Sequence, residues 1–281
     1  MIEDSPSKTA VRVALRRAAH QVLDDPPVFA DPFALVIAEA DAATLERDPR
    51  NHSAFGRGLR AFMAARSRWA EDRLSEAVAT GVRQYVVLGA GLDTFALRNP
   101  FPHLQVFEVD YPATQQLKQQ RIKAAGFSTP AALTYVALDF ARQTLADGLA
   151  AGGFVLERPA FFSWLGVVPY LVELAVFDTL RFVASVAAPT EVVFDYAIDP
   201  SLLSSVERSA VSALAERVAA AGEPFQTYLA PARLAVELHT VGFNAIKDLG
   251  TQEINQLYFD NRGDDLRLRG SAGRLVSARR V

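Results

Sequence analysis

The residues best suited to chemistry lie between Tyr85 and Asp110. A short apolar run, Tyr85-Val86-Val87-Leu88, leads into Gly89-Ala90-Gly91 and then into Leu92-Asp93-Thr94. Glycines suit a tight strand-to-helix turn, because no Cβ hinders the turn or the close approach of a ligand to the backbone. Nineteen residues past Gly91, Asp110 closes a second apolar run, Gln105-Val106-Phe107-Glu108-Val109. A carboxylate at the tip of a second strand is placed to accept both hydroxyls of a ribose. Gly89, Ala90, Gly91 and Asp110 are therefore candidates for holding a nucleoside-containing cofactor. A plain turn without a ligand is the alternative, and the spacing to Asp110 counts against it.

Position 94 narrows the cofactor. A dinucleotide fold would place a third glycine there, where the helix packs closely and its N-terminus faces a pyrophosphate. This chain has Thr94, with Asp93 beside it. An acidic residue at a helix start helps to cap it but repels a pyrophosphate. The pair fits a cofactor without phosphate, such as S-adenosylmethionine. A nicotinamide-dependent oxidoreductase is the weaker reading, since the chain also has no Tyr-x-x-x-Lys pair.

These residues need a scaffold, and the surrounding pattern predicts one. Apolar runs at Tyr85–Leu88, Val106–Val109, Tyr135–Leu138, Ala160–Ser163 and Glu191–Tyr196 alternate with helix-like stretches at Pro112–Ala125, Glu173–Ala187 and Leu202–Ala221. Continuous apolar strands separated by helices imply a parallel sheet covered on both faces, a doubly wound, Rossmann-like α/β fold. A helix after Pro231 should end at Gly242, before a strand at Asn244–Leu249, and Leu275–Ala278 reads as a final edge strand. Ahead of the sheet, helices are expected at Thr9–Leu23 and Leu59–Ala79, separated by a stretch broken by Pro26, Pro27 and Pro32.

Taken together, the motifs resemble the leucine carboxyl methyltransferase group of class I methyltransferases, including its actinobacterial and polyketide O-methyltransferase members. The resemblance covers nearly the whole chain. Val86 to Thr94 and Val106-Phe107-Glu108-Val109-Asp110-Tyr111-Pro112 carry most of it. Arg66-Ser67-Arg68, Trp164-Leu165-Gly166-Val167 with Tyr170-Leu171, and Tyr258-Phe259 with Arg262 add to it. It implies a seven-stranded sheet whose last strands include an antiparallel pair. It also implies one structural domain, with residues 1–80 as an N-terminal helical lid segment and 81–281 as a core carrying a lid insert near 200–230. It assigns Asp110 to the ribose, Asp139 to the adenine amino group and the Phe140 backbone to the ring. Read without it, Asp139 could equally cap a helix beginning near Ala141. Many relatives carry an arginine where this chain has Phe95 and an acid where it has Leu165. Those departures keep open a methyltransferase-like protein that binds the cofactor with little turnover.

Arg66 stands out on its helix, where Leu59, Met63, Ala70, Leu74 and Ala77 form an apolar stripe. A charge on that stripe demands a partner. The cofactor's methionine carboxylate is one, held by the guanidinium fork; an internal core carboxylate is another, and Arg68 is the alternative cofactor arginine. Glu71, Asp72, Arg73 and Glu76 read as a solvated face.

Methyl transfer to oxygen needs alignment more than covalent catalysis. A carboxylate acceptor needs no base, whereas a hydroxyl would profit from one. His20 is a weak candidate base and reads more readily as a solvated or capping histidine, Asp195 and Tyr196 are plausible substrate neighbours, and His52, His103 and His239 lack metal-ligand spacing. Phe55, Phe62, Trp69, Tyr170, Tyr228 and Tyr258 suggest an apolar lid over a small, lipophilic acceptor, though such a set also builds ordinary cores.

Composition sets the outer bounds. Half of the 281 residues are apolar, the net charge is -3 and there is no cysteine. Basic residues are interspersed with acidic ones, which points away from nucleic acid. No h-region follows Met1-Ile2-Glu3-Asp4, and the run Ala160–Val172 is shorter than the about 20 residues a bilayer requires. A cytoplasmic protein acting on a small molecule, without membrane, is expected; the oligomeric state stays open.

Overall fold

The computed structural model describes residues 6–139, 143–220 and 222–281. Helices α1 (Lys8–Leu23), α2 (Ala34–Ala38), α3 (Ala42–Arg47), α4 (Pro49–His52) and α5 (Ala54–Ala79) precede the sheet. Then follow β1 (Gln84–Leu88), α6 (Phe95–Arg98), β2 (Gln105–Asp110), α7 (Pro112–Ala124), β3 (Leu133–Ala137), α8 (Leu145–Ala151) and β4 (Ala160–Trp164). The chain closes with α9 (Glu173–Ser185), β5 (Thr190–Ala197), α10 (Ser205–Ala219), α11 (Pro231–Val241), β6 (Ala245–Leu249), α12 (Thr251–Tyr258) and β7 (Gly273–Arg280).

The strands form one seven-stranded sheet in the order β3-β2-β1-β4-β5-β7-β6. All pairings are parallel except those of β7, which runs antiparallel to both β5 and β6. Every residue of β1 and β4 is buried, as a parallel sheet with helices on both faces requires. Val86, Leu88, Phe162, Trp164 and Phe194 face the α8–α9 side, while Tyr85, Val87, Phe161 and Val193 face α5. The carboxyl ends of β1, β2, β4 and β5 thus open onto one edge, where the order reverses between β1 and β4. Ligands bind outside such a switch point.

Several boundaries differ from the sequence reading. Leu275–Ala278 is not an edge strand: β7 lies between β5 and β6, and β6 is the edge. An interior strand must be buried on both faces, and Leu275, Val276, Ser277 and Ala278 all are, with the Ser277 hydroxyl donating to Glu191. The helix after the glycine turn lasts only four residues, Phe95–Arg98. The helix expected from Leu59 begins at Ala54, because Ser53 caps it by accepting from Gly56 N–H at 3.0 Å. That expected from Leu202 begins at Ser205, behind a capping box of Ser204 and Glu207.

The face of α5 read as solvated is so only in part: Glu76 is exposed, whereas Arg73 and Glu71 are engaged by other elements. Arg73 is buried and forks onto Glu191 of β5, with Nε to Oε1 at 2.8 Å and Nη2 to Oε2 at 3.0 Å. Glu71 receives both Nη groups of Arg98. With an opposite charge of another element in reach, a long side chain on a half-buried helix face pairs with it and does not turn to solvent.

Candidate cofactor and acceptor site

The glycine turn has the conformation its sequence calls for. Gly89 and Gly91 have φ of 64° and 51°, a region that L side chains enter at a cost. Gly89 N and Ala90 N donate to Val109 O at 2.8 and 3.1 Å, so the turn is fastened to the end of β2. A Cβ on Gly89 would overlap Val167 Cγ2 from the segment after β4. The glycines are crowded from two sides, Gly89 by Val167 of the segment after β4 and Gly91 by Ala10 of α1.

Asp110 stands beside the turn, partly exposed at the tip of β2. Its Oδ2 accepts from Gly91 N at 2.5 Å and its Oδ1 from Tyr111 N at 2.6 Å. Burial pushes this carboxyl above its ordinary value, against the pull of those two N–H groups. Each oxygen keeps a further lone pair for hydroxyl donors. A bare turn and a two-oxygen acceptor on adjacent strand ends match the sugar of a nucleoside cofactor.

Asp139 follows β3 along the same edge, half-buried, and its carbonyl accepts from Gln143 N at 2.9 Å. Phe140 lies outside the described residues, as does Ala141, near which the helix of the alternative reading, with Asp139 as its cap, would begin. The next described helix, α8, is capped instead by Thr144, which accepts from Asp147 N at 3.1 Å.

Arg66 reaches the edge from α5. Its Nη1 donates to Asp195 Oδ2 at 3.0 Å, and both side chains are nearly buried. Asp195 Oδ1 accepts from Gly166 N at 2.5 Å. The guanidinium lies flat against Gly166, where a Cβ would stand 2.8 Å from Nη2. Arg68 faces outward and pairs with Asp72. The internal carboxylate and the candidate substrate neighbour are therefore one residue, Asp195, a link that no local pattern revealed. The visible signal was the seven-residue spacing of Arg66 and Arg73, which sets both on one helix face, each opposite a buried acid of β5: Asp195 and Glu191.

The N-terminal helix lies over this edge. Ser7 N donates to Thr114 Oγ1 at 3.2 Å, the Ala10 methyl lies against Gly91, and Thr9 binds Glu223 through both N–H and hydroxyl. Arg17 connects α1 to the residues behind the turn, reaching Asp31 Oδ2 at 2.6 Å, Thr94 Oγ1 at 2.9 Å and Asp93 Oδ2 at 3.3 Å. Asp93 accepts from Phe95 N at 2.7 Å. Burial alone would raise its carboxyl, but Arg17, Lys118 and Arg98 hold it below the ordinary range. Phe95 packs edge-on against Tyr85, at 4.9 Å between ring centroids.

On the other side, the segment 222–230 is tied to the turn after β4. Gln226 N donates to Pro169 O at 2.7 Å, and Thr227 Oγ1 to Leu171 O at 2.5 Å. Phe225 packs between Tyr170 and Tyr228, at 5.1 and 6.2 Å. Burial raises the Tyr170 phenol, and a hydrogen bond with Thr9 pulls the other way. Of the six aromatics expected in a lid, only Tyr170 and Tyr228 gather here, and Phe225 was missed. Trp69 is plain core, Tyr258 binds Asp72, Phe62 packs on Gly273 and Phe55 under Arg217.

His20 is neither solvated nor a free base. Its Nδ1 donates to Asp24 Oδ2 at 2.7 Å, and its Nε2 accepts from Phe29 N at 3.2 Å. His52, His103 and His239 are exposed. Among the described residues, no group of three or more His, Asp or Glu side chains is arranged to hold a metal, and no helix is long and apolar enough to cross a membrane.

Comparison with known proteins shows the family and the fold. The family described as leucine carboxyl methyltransferase matches residues 10–184, well over half of the chain. YktD of Bacillus subtilis, provisionally named an S-adenosyl-L-methionine-dependent methyltransferase, is 36% identical over 205 residues, covering 72% of this chain and 67% of that protein. A Mycobacteroides abscessus protein with the same provisional name is 34% identical over 176 residues; the match spans 60% of this chain but only 57% of its relative. Among solved structures, a DUF574 family protein of Streptomyces avermitilis shares the fold, with a TM-score of 0.59 and 15% identity over 99% of both chains.

Proposed function

The chain belongs to the leucine carboxyl methyltransferase family of S-adenosylmethionine-dependent enzymes, and from that premise we propose an O-methyltransferase for a carboxyl or hydroxyl group of a small, lipophilic metabolite. The observation that carries the reading is Asp110, held by Gly91 N–H and Tyr111 N–H beside a turn whose two glycines carry no side chain. In this reading Gly89, Ala90 and Gly91 let the cofactor lie against the backbone, and Asp110 takes the ribose hydroxyls. Asp139 and the Phe140 backbone meet the adenine, and the Arg66 fork takes the methionine carboxylate.

When bound, the cofactor supplies a methyl group on sulfonium, ready for in-line displacement. The protein's part is alignment and exclusion of water. The N-terminal helices and the segment 200–230 act as the lid, and Tyr170, Phe225 and Tyr228 form the apolar wall on which the acceptor rests. Carboxyl is the favoured acceptor, because His20 is engaged by Asp24 and the remaining histidines are exposed. A carboxylate is already ionised at neutral pH and calls for no base. The protein works as a cytoplasmic enzyme on a small molecule, with no membrane or nucleic-acid partner.

Calorimetric titration with S-adenosylmethionine, S-adenosylhomocysteine and NAD tests this. The wild type should bind both adenosyl compounds and not NAD, and Asp110→Ala should lose at least tenfold in affinity for them, as expected for hydrogen bonds to a charged acceptor. Binding of NAD alone would overturn the reading. Adenosyl binding without ester or ether formation across a panel of acceptors would favour a low-turnover cofactor-binding protein, to which Leu165 and Phe95 point.

A further inference from the structure

The three buried arginines of α5 do not treat their partners alike. Arg60 forks onto Asp24, with Nε to Oδ2 at 2.6 Å and Nη2 to Oδ1 at 2.9 Å, and its Nη1 donates to Asn51 O. Arg73 forks onto Glu191 in the same way. Arg66 meets Asp195 through Nη1 alone. Among the described residues it is the least committed of the three, and it is the one at the carboxyl edge of the sheet.

Asp195 has matching capacity. Each of its oxygens accepts one bond, from Gly166 N and from Arg66 Nη1, and a carboxylate oxygen can accept two. Trp164 pairs with Phe194 in the parallel ladder, so the next residues, Leu165 and Asp195, are neighbours at the edge. Asp195 follows the alternation of Val193 onto the α5 face. Gly89 touches Val167, two residues beyond Leu165, so this corner adjoins the glycine turn. A guanidinium and a carboxylate, each more than nine-tenths buried and each with spare bonding capacity, here lie side by side.

One kind of ligand end complements such a pair, namely a carbon bearing both an ammonium and a carboxylate. The methionyl end of the family's cofactor has that form. We infer that Asp195 is a positioning residue which receives the cofactor's α-ammonium while Arg66 receives its α-carboxylate, so that the internal ion pair opens into a four-charge cluster on binding. This rests on the cofactor reading above and adds to it an acid on β5 at the level where β4 offers Leu165.

Ligands that differ only at the amino-acid end provide the test. S-adenosylhomocysteine, its deamino analogue and 5′-methylthioadenosine are titrated into the wild type and Asp195→Asn. Asn preserves an acceptor for Gly166 N–H, and thermal unfolding of the variant is followed in parallel. Asp195→Asn should weaken S-adenosylhomocysteine roughly ten- to a hundredfold, the range for a hydrogen bond to a charged group. The deamino analogue and methylthioadenosine should keep their affinities. Equal weakening of S-adenosylhomocysteine and its deamino analogue would leave Asp195 only a support for Arg66, and overturn the inference. Should the variant not fold, the wild type decides alone, since equal affinity for those two ligands overturns it as well. If the wild type binds none of the three, the cofactor reading itself falls and takes this assignment with it.

Discussion

At Gly89 two separate penalties await a side chain. The φ of 64° costs an L residue about 1–2 kcal/mol, and a methyl would overlap Val167. Gly89→Ala should weaken S-adenosylhomocysteine binding, and adding Val167→Ala should recover the steric part while leaving the backbone part, as calorimetry and thermal unfolding would show. Asp24 offers a different kind of test. Burial by itself would raise its carboxyl, but hydrogen bonds from Arg60 and His20 prevail and hold it below the ordinary value. A depressed folded pKa adds stability that is complete above the unfolded value of about 4 and is lost as pH falls through the folded one. Asp24→Asn should therefore cost about 3–5 kcal/mol at neutral pH, since it leaves Arg60 buried without a charge partner. The gap to wild type should narrow below about pH 4 in urea titrations. The glycines and Asp110 were legible beforehand because a turn and a strand tip are local features. Asp195 as the partner of Arg66 was not, because 129 residues separate the two.

Elements were legible to the extent that periodicity controls them. The runs at Tyr85, Val106, Tyr135, Ala160 and Glu191 all became strands within a residue or two, since a strand buried on both faces is mostly apolar and its few charges must be paired. The order of the last two strands is set by which pairs form, and no pattern within either strand records that. Helix starts shifted where a cap, Ser53 or Ser204, overrode hydrophobic spacing. Against the sheet, α5 is held by two buried ion pairs on the same face of β5, Arg66 with Asp195 and Arg73 with Glu191. Arg73→Met should cost about 3–5 kcal/mol by stranding Glu191, and Arg73→Met with Glu191→Met should recover most of it. Urea midpoints of the two variants would decide, and an unchanged midpoint in the single variant would show the pair to be dispensable.

Over the whole molecule, the N-terminal helix bridges the two sides of the proposed cofactor edge, from Thr114 after β2 to Glu223 before α11. Hydrogen exchange at residues 7–14 should slow when S-adenosylhomocysteine binds, alongside the 222–230 segment. Protection limited to the glycine turn would exclude α1 from closure. The α5–β5 contact has one more consequence. Seven residues of helix rise about 10 Å, while four residues of strand advance about 13 Å, so Arg66 and Arg73 match Asp195 and Glu191 as two marks on one ruler. A single residue inserted between the arginines would rotate one of them by about 100° and take it off its mark. The length of this part of α5 is therefore frozen, and a chimera that borrows the N-terminal helices of a relative must borrow β5 with them.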